Sequence, residues 1–380
     1  MSSNTPYYRY LDGLRCLSVF WVILIHLKFH GGRLLEFVAG HGWMGVDMFF
    51  VISGFLITGI LLREHNGAGQ ISLRNFYARR ILRIWPAYYL LLAIITLLAL
   101  CRVGSDAPMI LDTIKWPAMY LTNAYAGYHR TETVACLISW SLSLEEQFYL
   151  LWPLLLFLSV KRAWRIALAT IVAVTIWRTW LTFHIAPGVL AMRRIFYAPD
   201  TRIDVILYGC LLAFLMADSE HAETARRTLD RRWVPFALTG AFLWAVYIND
   251  RWSGHLGNSI GYSVSAIMMA LIIAYIHTVR PGWALAVLEC RPVVWCGRIS
   301  YGMYLFHHLI ITALLATFGH PSSGLGEVVF AVGAYGGTIA VASFSYIFYE
   351  SRFLRLKERF SSSRGSVPSA SNAAPSSGPV

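Results

Sequence analysis

An all-α bundle of transmembrane helices, with about ten spans and no appended soluble domain, is the architecture this sequence predicts. Hydrophobic residues make up 57% of the chain against 14% charged, with a mean hydropathy of +0.54, a balance that belongs to a polytopic membrane protein. The apolar residues recur in runs of about twenty, a length that suits helices in lipid, whereas a barrel of strands would alternate over segments of roughly ten. Basic residues gather between those runs. The net charge of +12 and pI near 9.5 therefore read as positive-inside topology, with no nucleic acid among the expected partners.

The first span is Tyr10 to Phe29, YLDGLRCLSVFWVILIHLKF, retained because Arg15 stands near its start and no small-residue cleavage site follows. At about 100° and 1.5 Å per residue, the eleven steps from Arg15 to His26 bring both side chains to within roughly 20° of one face, roughly 16 Å apart. Ionisable groups in a membrane helix are costly unless they face a protein interior or a wet cavity, so this stripe points to a solvated or substrate-filled path. Two ordinary readings stand beside that one: Arg15 snorkels to the headgroups, and His26 is a satisfied core histidine.

Trp43 to Leu62 is the second span, with Asp47 near its start and Gly45, Gly54 and Gly59 read as close-packing positions. The following loop carries Arg63, Arg74, Arg79, Arg80 and Arg83 and is predicted to be cytoplasmic. Pro86 sits harmlessly in the first turn of the third span, where amide hydrogens lack intrahelical partners anyway. Arg79, Arg80 and Arg83 at a helix N-terminus serve topology, and they also suit a polyphosphate.

From Arg102 to Ser139 the chain is less apolar and is broken by Pro108, Pro117 and Gly127, which reads as a re-entrant or surface segment. Ser139 to Val160 is a span entered from outside, with Glu145 and Glu146 a turn or more inside and Lys161 and Arg162 at its end. Adjacent residues lie about 100° apart on a helix, so at most one of the two glutamates points squarely at any one neighbour. Further spans follow at roughly Trp164 to His184, Ile203 to Ala217, Val234 to Asn249, Asn258 to His277, Ile299 to Phe318 and Glu327 to Tyr349. With the N-terminus inside, Arg226, Arg227, Arg231, Arg232, Arg280 and Arg291 fall on inner segments. Arg193, Arg194 and Arg202 fall outside, where they weaken the scheme or mark an anionic ligand. Residues 1–353 form the membrane domain. Residues 354–380 begin basic and become a Ser/Pro/Ala-rich tail expected to be disordered and cytoplasmic. The six cysteines show no metal spacing, although Cys101 and Cys136, both on the outer side, could pair.

Several blocks together resemble the acyltransferase-3 family of polytopic membrane O-acyltransferases, which modify surface polysaccharides and some secondary metabolites. Arg15 and His26 meet its signature of arginine, ten residues, then histidine. GVDMFFVISGFLI from Gly45, RRILRIWPAYY from Arg79, WSLSLEEQFYLLWP from Trp140, DTRIDVILYGCLLA from Asp200 and GRISYGMYLFHHLII from Gly297 are similar to family blocks in the family's order, over roughly Tyr10 to Phe353.

The resemblance implies transfer of an acyl group, commonly acetyl, from cytoplasmic acyl-CoA to a hydroxyl of a carbohydrate or glycosylated acceptor. No permanently bound cofactor and no metal are expected. Arg15, Arg79, Arg80 and Arg83 are placed to bind the phosphates of acetyl-CoA. His26 is placed as general base, since an imidazole titrates near neutrality, and Glu145, with Asp47 as second choice, as the carboxylate that orients it. Arg202 and Asp204 are expected to form a buried pair fixing helix packing. Ser300, Tyr301, Tyr304 and His307 line the cavity or support it, and His308 lies off that face. A different class, a transporter or flippase, also fits a bundle with intramembrane charges, though paired broken half-helices are not visible. Acceptor identity, acyl group and oligomeric state are not encoded legibly.

Overall fold

The computed structural model describes residues 7–27, 32–104, 106–129, 134–185, 188–251, 257–321, 324–357 and 360. Among these residues there is no strand, and the elements are helices joined by turns. Six of them are long and apolar enough to cross a membrane, and Ile203–Ala217 and Val234–Tyr247 are apolar but shorter.

The chain begins with α1 (Arg9–His26), then α2 (Arg33–Gly40), α3 (Met44–Ala68) and α4 (Leu73–Leu100). Ser72 caps α4 by accepting from the Asn75 amide, and Glu64 of α3 accepts from the Ser72 amide at 2.9 Å and from Arg79 at 3.4 Å. That carboxylate ties the end of one span to the start of the next. The stretch from Arg102 to Ser139 resolves into α5 (Ala107–Thr113), α6 (Lys115–Ala118), α7 (Thr122–Tyr128) and a 3-10 turn at Leu137–Ser139.

Next comes α8 (Trp140–His184), 45 residues long. A straight helix of that length would rise roughly 68 Å, about twice a bilayer's hydrocarbon core. Ser159 breaks it with extended backbone (φ −163°, ψ 91°), so the two expected spans are its two halves and no separate loop intervenes at Lys161 and Arg162.

Beyond α8 lie α9 (Val189–Tyr197), α10 (Ile203–Ala217), α11 (Ser219–Leu229), α12 (Val234–Arg251) and α13 (Tyr262–Val279), the last entered through a π-turn at Gly257–Gly261. Two short helices, α14 (Gly282–Leu288) and α15 (Arg291–Arg298), lead to α16 (Ser300–Phe318) and α17 (Gly324–Phe344). A second π-turn, Ser345–Glu350, joins α17 to α18 (Ser351–Lys357). The expected tail lies almost wholly outside the described residues, apart from the end of α18 and Phe360, whose carbonyl accepts from Arg79 at 2.7 Å.

The centre of the bundle is the crossing of α3 and α10. A Cβ at Gly54 would strike the Ile206 carbonyl, and one at Gly209 would strike the Val51 carbonyl, so the two backbones touch directly. Gly45 presses in the same way on the Ser18 carbonyl of α1, whereas Gly59 meets only the flexible end of Arg63. The close-packing expectation therefore holds at Gly45 and Gly54 and not at Gly59. The contact at Gly45 sets α3 antiparallel beside α1. All six cysteines are free, so Cys101 and Cys136 do not pair.

Candidate active site

A cavity of about 90 Å³ opens between α1, α3, α4, α8 and α16. It gathers Arg15 from α1, Ser53 from α3, Arg80 and Arg83 from α4, Ser141, Glu145 and Tyr149 from α8, and Ser300, Tyr301 and Tyr304 from α16. Several of these side chains are held by nearby partners. The Arg15 guanidinium donates to Asp12 one turn back at 3.1 Å. Asp12 also accepts from Tyr7, whose hydroxyl accepts in turn from Arg298 at 3.0 Å. Arg80 lies over the rings of Tyr149 and Phe76, 5.1 and 5.7 Å from their centroids, which positions its charge through aromatic faces. Tyr304 donates to the Ile138 carbonyl at 2.6 Å, so its oxygen accepts from Ser141, also at 2.6 Å.

Glu145 enters the same cavity. Its carboxylate accepts from Ser53 at 2.7 Å, and Ser53 accepts from Tyr149 at 3.1 Å, so the glutamate ends a short hydroxyl chain between Arg15 and Arg80. Of the two neighbouring glutamates it is the one that faces this cavity.

His26 lies elsewhere, eleven residues and roughly 16 Å further along α1 than Arg15. It is half-buried, and its Nδ1 contacts the Val22 carbonyl at 2.8 Å. A carbonyl can only accept, so Nδ1 donates this hydrogen bond. The His307 ring lies 4.9 Å away between centroids and the His308 ring 6.1 Å. His307 follows Tyr304 by one turn on α16, so the histidine cluster and the arginine-lined cavity share a wall.

Of the four arginines expected to meet a polyphosphate, Arg15, Arg80 and Arg83 therefore converge, together with Glu145, Ser300, Tyr301 and Tyr304. Arg79 points away, engaged by Glu64 and the Phe360 carbonyl.

The family model described as an acyltransferase domain (Acyl_transf_3) matches residues 8–347, which takes in every one of these elements. The chain belongs to the acyltransferase-3 family. Within this acyltransferase-3 chain, similarity extends to curated relatives. It is 31% identical over 354 residues to the putative peptidoglycan O-acetyltransferase YrhL of Bacillus subtilis (strain 168), covering 87% of this chain and 52% of the relative. It is 29% identical over 358 residues to the peptidoglycan O-acetyltransferase OatA of Listeria monocytogenes, covering 90% and 54%. A putative O-acetyltransferase of Staphylococcus aureus (strain COL) matches at 29% over 324 residues, covering 80% and 50%. The chain spans about half the length of the curated relatives it matches. No solved structure matches it significantly.

One expectation for this acyltransferase-3 chain is corrected. Arg202 and Asp204 do not pair with each other. Arg202 pairs with Asp47 of α3 at 2.5 Å, and Asp204 pairs with Arg178 of α8 at 2.9 Å, all four side chains fully buried. The reason is geometric, since residues two apart at the start of a helix point to opposite sides. The Arg202 guanidinium sits 3.9 Å from the Tyr262 ring centroid, with Phe196 and Trp140 beside it, and this aromatic cage explains how its Nε and Nη1 go without hydrogen-bond partners. Asp47 is thus held in a buried ion pair and is not itself among the residues lining the cavity, although its neighbours Val46 and Phe49 are. Arg194 is likewise neutralised inside the chain, held by Asp200 at 2.9 and 2.5 Å.

Arg178, Ser53, Ser141 and Tyr149 escaped the sequence reading. The signal for Arg178 was present, because an arginine inside an apolar run must find a partner. It donates to Asp204, Ser263 and the carbonyls of Thr201 and Ser259.

Proposed function

We propose that this chain moves an acyl group, acetyl by analogy with its O-acetyltransferase relatives, from cytoplasmic acyl-CoA to a hydroxyl of a carbohydrate acceptor of the peptidoglycan kind. The observation that carries this reading is the arrangement along α1: cations of two helices, Arg15 of α1 with Arg80 and Arg83 of α4, line one cavity, and an imidazole lies roughly 16 Å further along α1. Coenzyme A holds its phosphates and its thioester at opposite ends of an extended arm. A site with charge at one depth and a base at another suits such a donor, the phosphates meeting Arg15, Arg80 and Arg83 and the thioester lying toward His26.

His26 then acts as general base on the acceptor hydroxyl, and Ser300, Tyr301 and Tyr304 line the passage. Glu145, set between Arg15 and Arg80, keeps the guanidiniums spaced and oriented. About ten spans with both termini on the cytoplasmic side place the arginine-rich loop on the side that supplies the donor.

The test is acyl transfer by the purified chain in lipid nanodiscs, given labelled acetyl-CoA and peptidoglycan fragments. Label on the glycan, lost in His26→Ala, is the expected result. Glycan movement across vesicles with no acylation would assign the bundle to a carrier instead. Reporter fusions in the Arg63 to Arg83 loop and at the C-terminus check the orientation, and either one found outside overturns it.

A further inference from the structure

A second cavity, of about 200 Å³, lies at the end of the bundle where α3 leads into α4, and it shares no residue with the arginine-lined one. Its origin is a mismatch in helix length. Asp47 meets Arg202 and Gly54 faces the stretch from Ile206 to Cys210, so α3 and α10 run parallel in one register, and Ala217 at the end of α10 comes level with Leu62. From there α3 continues to Ala68, roughly 9 Å further. The 15 residues of α10 rise roughly 22 Å, short of a hydrocarbon core of about 30 Å. The step so formed has an apolar wall at Phe55, Leu62 and Met216, and its polar groups are Tyr8, Arg63, Asn66 and His277. No carboxylate lines it.

Two of the polar groups are set in place. Arg63, though exposed, folds back over Gly59 one turn earlier, where an added Cβ would stand 3.4 Å from its Nη1. That contact accounts for a glycine that presses on no other helix. His277 meets the rings of Tyr8 and Phe55 edge-on, with centroids 5.2 and 5.5 Å away, and its Nδ1 lies 2.6 Å from the hydroxyl of the wholly buried Tyr10.

We infer that this step binds one anionic phospholipid, with its phosphodiester against Arg63 and His277 and an acyl chain along Phe55, Leu62 and Met216. The lining is polar on one side and apolar on the other, as such a molecule is. Depth favours a lipid over a soluble phosphate. Where α10 stops short and α3 runs on, the step opens at the level at which acyl chains give way to phosphates, and basic pockets between helices at that level take anionic headgroups. The charge of the lining selects among lipids. Without a carboxylate, nothing answers the ammonium of a zwitterionic headgroup, whereas Asn66 and Tyr8 can hydrogen-bond an uncharged glycerol. The site is independent of the acyl-transfer reaction.

The experiment titrates the full chain in detergent with phosphatidylglycerol, phosphatidylethanolamine and inorganic phosphate, counting bound molecules by native mass spectrometry. Wild type, Arg63→Gln and Gly59→Leu are compared, with elution profiles to confirm that each is folded. Wild type should hold one phosphatidylglycerol per chain, and Arg63→Gln should hold it roughly 10- to 100-fold more weakly, the loss expected for hydrogen bonds to a charged group. Gly59→Leu should weaken it as well, because its side chain takes the place of the Arg63 guanidinium, while leucine suits a helix better than glycine does. Unchanged affinity in Arg63→Gln, or phosphatidylethanolamine held as tightly as phosphatidylglycerol, overturns the assignment. Inorganic phosphate bound as strongly as the lipid would make this a site for free phosphate, and displacement of the lipid by acetyl-CoA would give the cavity to the donor. Either result also overturns the lipid.

Discussion

Arg202 reaches past the carboxylate two residues along its own chain and pairs with Asp47 on α3, at 2.5 Å and with neither side chain exposed. Removing one partner leaves a buried charge unanswered, which costs about 3–5 kcal/mol, whereas replacing both by apolar groups is often nearly neutral. Asp47→Leu and Arg202→Leu should each lower the thermal midpoint of the detergent-solubilised protein, and the double variant should regain most of the loss. A double variant no more stable than the worse single would show that the pair contributes something other than charge compensation.

The arginines of α4 separate into two kinds. Arg80→Ala and Arg83→Ala should raise KM for acetyl-CoA more than they lower kcat, because contacts with phosphates far from the reacting carbonyl need not strengthen in the transition state. Arg79→Ala should leave the donor KM near wild type, since Arg79 is occupied by Glu64 and the Phe360 carbonyl. Equal KM changes at all three positions would dissolve this distinction.

His26→Ala should cost roughly 10²–10⁴ in rate, the usual contribution of a positioned general base. Glu145→Gln should also be slower. With Glu145 bound to Ser53 and His26 beside His307, the two losses should multiply in the double variant, as they do for sites without shared partners. A double variant no worse than His26→Ala would make the glutamate the histidine's own partner.

Asp200 links α9 to α8 and α7, accepting from Arg194, from Trp177 at 2.7 Å and from Tyr128 at 2.8 Å. Burial works to raise its pKa, but these hydrogen bonds outweigh burial and hold it below the ordinary carboxylate value. A carboxyl with a depressed folded pKa stabilises the fold above its unfolded pKa, about 3.9 for Asp, and loses that contribution as pH falls through the folded value. Wild type should therefore exceed Asp200→Asn in thermal midpoint at pH 6, with the gap closing below about pH 4. A gap independent of pH would mean that the geometry of the group matters and its charge does not.

Helices were legible where apolar runs are bounded by charge, as at Ile203–Ala217, where the observed helix has the expected ends although it is shorter than the helices long enough to cross a membrane. The eight-residue helix Arg33–Gly40 was not, because it is too short for a periodic signal and reads as a glycine-containing loop. Lys161 and Arg162 read as a turn between spans, yet both project outward from the continuing helix, with only Ser159 marking the break. For the site, the family blocks identified seven of the residues that line the cavity, Arg15, Arg80, Arg83, Glu145, Ser300, Tyr301 and Tyr304. Which carboxylate meets which cation was hidden, because the pairs Arg202 with Asp47 and Arg178 with Asp204 cross between helices, and no sequence spacing records that.

The glycine contact between α3 and α10 bears on how the bundle breathes. Helices separated by side chains can slide as those side chains change rotamer, but Gly54 and Gly209 leave nothing between the backbones to act as a bearing. α3 and α10 therefore travel together, and Asp47 and Arg202 clamp the same pair a second time. Any widening of the cavity should then fall to α4 and α16, whose Arg83 and Tyr304 line it. Distances from α3 to α4 and to α16 are the coordinates in which gating would be seen, with α3 to α10 as the fixed ruler.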